Sequence, residues 1–222
     1  MKTACAVIIG ILAFLLSACV TGDEITNYVI EPDGEIAFSI YRLNLISDAT
    51  GEDAKQNLAG YIQELEEQRG SLFTKLAGAN AKDVQVSVLR RASPASVLIT
   101  GRIPSLDDFA AYLSEENDDC SLVCAAISKE RTRGFQCEWI RKASVGTAQP
   151  GKDQNETVES HDESSDETRF SLAEGSFTRA QGFTFAHNKR SAILDDDPLS
   201  QAWNDQSPSV TFSLEWQIPE TP

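Results

Sequence analysis

Cys120, Cys124 and Cys137 lie within eighteen residues of one another. A thiol can form a cross-link, hold a soft metal or, as the thiolate, attack an electrophile. The spacing favours the cross-link. LVCAAIS and FQCEWIRKA read as two strands on either side of SKERTRG, and directly opposed residues of a hairpin sit at separations a disulfide can span. Cys124 and Cys137 are therefore the candidate disulfide, with Cys120 left over. The competing arrangement is a Cys₃ metal site completed by His161 or His187. CxxxC with one distant cysteine matches zinc spacings poorly, so no metal is expected.

Other chemistry is thin. His161 sits in an acidic tract and His187 in FAHNKR, and neither stands beside a serine elbow, a metal motif or a cysteine motif. Glycine-rich phosphate loops are absent. Asp107 and Asp108, and the run Asp195 to Asp197, are two clusters among 34 acidic residues, so adjacency alone says little. Neither resembles the DxDxDG loop that converges carboxylates on calcium. Carboxylates brought together from distant loops, as glycosidases use, are invisible in a sequence. No catalytic, cofactor-binding or metal-binding residue is assigned, no cofactor is expected, and the chain reads as non-enzymatic.

The second cysteine of the chain is preceded by a different signal altogether: Cys19 follows Lys2, the thirteen uncharged residues Ala4 to Leu16, and then Ser17 and Ala18. That stretch is short for a spanning helix, which needs about 20 apolar residues, and fits the apolar core of a secretory signal ending in small residues. Leu16-Ser17-Ala18-Cys19 resembles the lipobox of bacterial lipoproteins, a resemblance confined to residues 1 to 19. It implies that the Cys19 thiol takes a diacylglyceryl group, that residues 1–18 are cut away as a signal peptide, and that the new amine is acylated, commonly with palmitate. Residues 19–25 would be a lipid tether. Val20 stands where that class carries aspartate for retention in the inner membrane, so the implied address is the outer membrane, facing the periplasm. An uncleaved anchor from Ala4 to Val20 is the alternative.

Cleavage would leave 204 residues with 18 Lys and Arg against 34 Asp and Glu, a net charge of −16. Nothing supplies the basic stripe that phosphate backbones require, so nucleic acid is excluded as a partner, and an electrostatic grip on anionic lipid is disfavoured. Membrane attachment would rest on the acyl chains, of which two or more hold firmly. An oxidising periplasm also suits a disulfide.

Those groups need elements to hold them. EPDGE, residues 31 to 35, is a turn between NYVI and IAFSIYRLNLI, with Gly34 free to take a positive φ. Thr50 and Asp53 suggest a capping box, after which Leu58, Tyr61, Ile62, Leu65, Leu72, Phe73 and Leu76 recur at helical spacing, with Gly70 as the weak point. VQVSVL and SVLITGRI form a second hairpin around Pro94. Ser105 caps a short helix carrying Phe109, Tyr112 and Leu113. Trp139 shares a face with Phe135 and Cys137. Residues 149–168 hold an acidic tract with a single aliphatic residue, Val158, from Gly151 to Thr168, too polar to order itself. Short strands follow around Gly175 and Gly182, and Val210, Phe212, Leu214, Trp216 and Ile218 alternate as a half-buried strand.

The expected fold is α+β: a mixed, largely antiparallel sheet of hairpins packed against one long and one short helix. Residues 26–222 form a single domain with a disordered acidic loop at 149–168; the alternative is an α+β domain over 26–148 and a small β domain over 169–222. Function follows from the address: a membrane-anchored envelope lipoprotein that binds another protein or supports an assembly. Two alternatives remain open, a tethered hydrolase of envelope polymers and a carrier of lipid or another apolar ligand.

Overall fold

A computed structural model of the chain describes residues 19–116, 120–129, 131–141, 167–186, 188–194 and 209–218. The fold is α+β, with its strands in two sheets rather than one. Strand β1 (Val20–Ile30) turns at Gly34, φ 91°, into β2 (Ile36–Ser47). A long helical segment follows, stepped by Gly70 at φ 102° into α1 (Gly51–Glu66) and α2 (Ser71–Gly78). A positive φ cannot be absorbed within a helix, so the glycine that was the weak point is the step. Thr50 occupies the N-cap position in an extended conformation, but its hydroxyl makes no capping hydrogen bond.

Next come β3 (Lys82–Arg90) and β4 (Ala95–Ile103), then α3 (Leu106–Leu113). Two-residue β5 (Glu115–Glu116) leads to β6 (Cys120–Lys129) and β7 (Thr132–Arg141). The C-terminal part supplies β8 (Glu167–Leu172), β9 (Phe177–Gln181), β10 (Phe183–Phe185), β11 (Ser191–Leu194) and β12 (Ser209–Gln217).

The larger sheet runs β10-β11-β8-β1-β2-β4-β3 and the smaller β5-β6-β7-β12-β9. All pairings are antiparallel except β1 with β8, which run parallel from Ile25↔Glu167 to Ile30↔Leu172. The C-terminal strands thus divide: β8, β10 and β11 extend the sheet begun by β1, whereas β9 and β12 extend the β6–β7 hairpin. Gly182 is where the chain crosses from one sheet to the other. Its φ is +72°, and a Cβ there would meet the Phe212 ring at 2.3 Å, so the crossover demands glycine both for backbone conformation and for space.

One apolar cluster spans both sheets and the helices. It takes Tyr28, Ile30, Phe38 and Ile40 from the larger sheet, Phe135, Trp139 and Leu214 from the smaller, and Leu58, Ile62, Phe73 and Phe109 from the helices. Period-two burial along β1 and β2 places Tyr28, Ile30, Ile36, Phe38 and Ile40 on the inner face, as strand geometry requires. Phe109 of α3 lies where the layers meet. Its ring is 4.9 Å from that of Tyr28 and 5.7 Å from that of Phe135, edge-on to both, the arrangement that the ring quadrupole favours.

Two boundaries differ from those expected. Residues 20–25 are not a tether: they are the first half of β1, paired with β2 from Val20↔Ser47 onward. VTGDE is too polar to announce a strand by composition, and it is the partner strand β2 that fixes it. Within 149–168, only Glu167 and Thr168 are described, and they open β8. The Glu167 carboxylate stays at the surface, 2.6 Å from the guanidinium of Arg169. The remainder of that tract, residues 1–18, His161 and His187 lie outside the described residues.

Candidate functional site

Cys19 and the cysteine pair fall in different parts of the molecule. Cys19 is exposed at the start of β1, where its carbonyl accepts a hydrogen bond from the Asp48 amide at 3.1 Å. Cys124 and Cys137 oppose one another across β6 and β7 and form a disulfide with Cα atoms 4.0 Å apart. That bond removes two of the three thiols a Cys₃ metal site would need. Among the described residues, no group of three or more His, Cys, Asp or Glu side chains is placed to hold a metal ion.

At the other end of β1 from Cys19, four segments enclose a groove of about 270 Å³. The first is the β1–β2 turn. The Glu31 amide donates to the Glu35 carbonyl at 2.8 Å, the Gly34 amide to the Glu31 carbonyl at 2.9 Å, and the Glu35 amide to Asp33 Oδ1 at 3.0 Å. This fixes the turn that presents Glu31 and Asp33. The second is the start of α3, with Pro104, Ser105, Leu106 and Asp107. The third is the β6–β7 hairpin end, giving Ala126, Ile127, Ser128 and Arg133, and the last is Trp216 and Ile218 at the end of β12. The Ile218 amide donates to the Arg131 carbonyl at 2.9 Å, tying the last two together.

Asp107 and Asp108 have separate roles. Asp108 is spent on the cap: its amide donates to Ser105 Oγ at 3.1 Å, and its carboxylate accepts from the Ser105 hydroxyl at 2.5 Å and from Asn80 Nδ2 at 2.8 Å. Those two hydrogen bonds, Ser105 first, hold its carboxyl below the ordinary aspartate range, because each favours the charged form. Asp107 lines the groove instead. The groove therefore carries three carboxylates, from Glu31, Asp33 and Asp107, around one half-buried guanidinium. Among the described residues Arg133 makes no ion pair; its guanidinium donates to the adjacent Thr132 carbonyl at 3.3 Å. A guanidinium fork of this kind binds carboxylates in two-pronged fashion.

A second space, about 160 Å³, lies between the sheets. Its walls are Tyr28, Phe135, Phe170, Phe183 and Phe212 with Leu113, Leu122, Leu194, Cys137 and Thr168. Burial pushes the Tyr28 phenol well above its ordinary pKa, and the neighbouring Tyr112 adds to the effect. A cavity of about 150 Å³ with comparable walls stays dry and admits benzene. That volume is far smaller than a whole acyl chain.

Sequence reasoning found Cys19, Cys124, Cys137, Asp107 and Asp108 singly, and it missed the groove. Glu31, Arg133 and Trp216 are far apart in the chain. The usable signal was the set of three polar turns, EPDGE, PSLDD and SKERTRG, each at the end of an apolar run and hence at an end of a sheet.

No protein-family model matches the sequence, and no curated protein matches it. Among solved structures the chain is similar to the folded domain of LppM from Mycobacterium tuberculosis, determined by NMR, with a TM-score of 0.40 and 9% identity over 90% of this chain and 93% of that one. A superposition that loose carries no functional argument. No helix among the described residues is long and apolar enough to cross a membrane.

Proposed function

We propose that this is a lipid-anchored protein of the bacterial envelope, held at the outer membrane on its periplasmic side through acyl chains on Cys19, and that it works by presenting a protein-binding groove at a set distance from the bilayer. Catalysis is not part of the reading. The observation that carries it is the position of the two functional ends on one strand: β1 starts directly after Cys19 and ends at the groove. Eleven strand residues at about 3.3 Å each put the groove roughly 35 Å from the anchor. Tethering raises the local concentration of a weak partner without any new contact. Arg133 within the groove suits an acidic side chain or chain terminus of such a partner.

The test pairs the anchor with the groove. Radiolabelled palmitate should enter the wild type and not Cys19→Ala. A photoreactive side chain at Asp33 should give a discrete adduct in native membranes, reduced at least tenfold when the protein is exported with a cleavable signal lacking Cys19. Full biological activity from that soluble form, together with its abolition by Glu31→Gln or Asp107→Asn in a folded protein, would instead establish the tethered hydrolase.

The carrier reading has one specific observation in its favour, the aromatic-lined space between the sheets. At about 160 Å³ it accepts a small apolar ligand or the end of a chain. Transport of a whole lipid would need the sheets to part.

A further inference from the structure

The β1–β2 ladder extends to the last residue before the strand. Cys19 opposes Asp48 in the same register that pairs Val20 with Ser47 and Thr21 with Ile46, and the Asp48 amide donates to the Cys19 carbonyl at 3.1 Å. No slack separates the anchor residue from the fold. Residues two apart on a strand share a face, so Cys19 and Thr21 share one, and Ile46, opposite Thr21, lies on it too. Ile46 is then the diagonal neighbour of Cys19, about 7–8 Å away. A register shift between Arg42 and Leu45, with Asn44 at φ 53°, sends Leu45 into the core at 3% exposure and leaves Ile46 outward at 48%. A large aliphatic side chain is thus displayed beside the one residue that the lipobox marks for acylation.

We infer that the corner of the larger sheet formed by Cys19, Thr21 and Ile46 is seated directly on the bilayer surface, with Ile46 in the interfacial layer. The inference rests on the reading that Cys19 is acylated. Given that, the occupant follows from reach. The glyceryl group is bonded to Sγ, and the headgroup layer is about 5–8 Å thick on each side of the hydrocarbon. A residue 7–8 Å from Cys19 on the same face therefore lies at headgroup level, and an exposed isoleucine there has apolar surface to bury. Asp48 stands opposite Cys19, and the chain is acidic throughout, so the seat is apolar and covalent, and anionic lipid adds nothing to it.

The test uses the full acylated chain reconstituted in phosphatidylcholine vesicles, with Cys120→Ser as background. An environment-sensitive fluorophore is placed at Ile46→Cys or, as the far reference, at Asp33→Cys. Lipids carrying a nitroxide near the headgroup should quench the label at position 46 at least threefold more than the label at 33. Ten Gly/Ser residues inserted between Cys19 and Val20 should remove the difference, and replacing a quarter of the lipid with phosphatidylglycerol should not increase it. Equal quenching at 46 and 33 while palmitate is still incorporated overturns the seat alone. A label at 46 that is blue-shifted but unquenched also overturns it, in favour of a protein contact there. Loss of palmitate incorporation overturns the anchor and the seat together.

Discussion

The β1–β2 and β6–β7 hairpins have the same topology and similar lengths, yet they are secured by different means. On β1 and β2, five alternating side chains are at most 5% exposed, and the turn is closed by three backbone-directed hydrogen bonds. On β6, none of the described side chains is buried, and Val123 is 54% exposed. Its outer neighbour, β5, covers only Leu122 and Ser121. β6 is held to the fold by its ladder with β7, the Cys124–Cys137 bond, a hydrogen bond from the Cys124 amide to Ser114 Oγ at 3.0 Å and the packing of half-buried Leu122 against the core. Burial secures both strands of the first hairpin, whereas in the second it secures β7 through Phe135, Cys137 and Trp139 and leaves β6 to lean on the covalent link, so each should fail in its own way.

The largest effect is expected at Phe38, whose ring fills the space over Gly101, where a Cβ would stand 2.5 Å from it. Phe38→Ala removes a buried ring and leaves a void, costing about 3–5 kcal/mol, measured from the urea midpoint. A loss under about 1.5 kcal/mol would mean that burial is not what secures the first hairpin. Next comes the cross-link. Cys124→Ser with Cys137→Ser should cost about 3 kcal/mol on the chain-entropy account, and non-reducing peptide mapping should recover the two cysteines together from the wild type. An undiminished urea midpoint would place β6 among the elements held by packing.

The smallest effect tests α3, which touches both hairpins through Phe109. Asp108→Asn should cost about 0.5–1 kcal/mol at neutral pH, the worth of a carboxylate at a helix N-terminus. The Asp108 carboxyl is held below its ordinary value of about 3.8. Its contribution is therefore present above that value and disappears as pH falls through the lower, folded value. The gap in melting temperature between wild type and Asp108→Asn should close as pH falls below about 3.8. A gap independent of pH would assign the loss to geometry rather than charge.

Sequence made the hairpins and α3 legible because their causes are local. EPDGE, the period-two apolar residues and Ser105 each act within a few positions. The division into two sheets was hidden because it depends on which strand β12 meets, and Phe212 facing Cys137 is a contact across 75 positions. Strand 20–25 was hidden for a related reason: Gly22, Asp23 and Glu24 are residues that strands disfavour, and they are ordered by β2. The groove combined both difficulties, since its charged residues lie in turns whose mutual approach is set by sheet order.

The place of β1 within the larger sheet has a mechanical consequence. It is an interior strand, with β2 on one side and β8 parallel to it on the other. A pull on Cys19 along the strand axis loads both ladders in shear, so that many hydrogen bonds must yield at once. The same pull on an edge strand, directed across its axis, would part them one at a time like a zipper. Under the proposed acylation of Cys19, a membrane that stretches or is shed would exert such a pull, and this sheet would take that load along its stiffest direction.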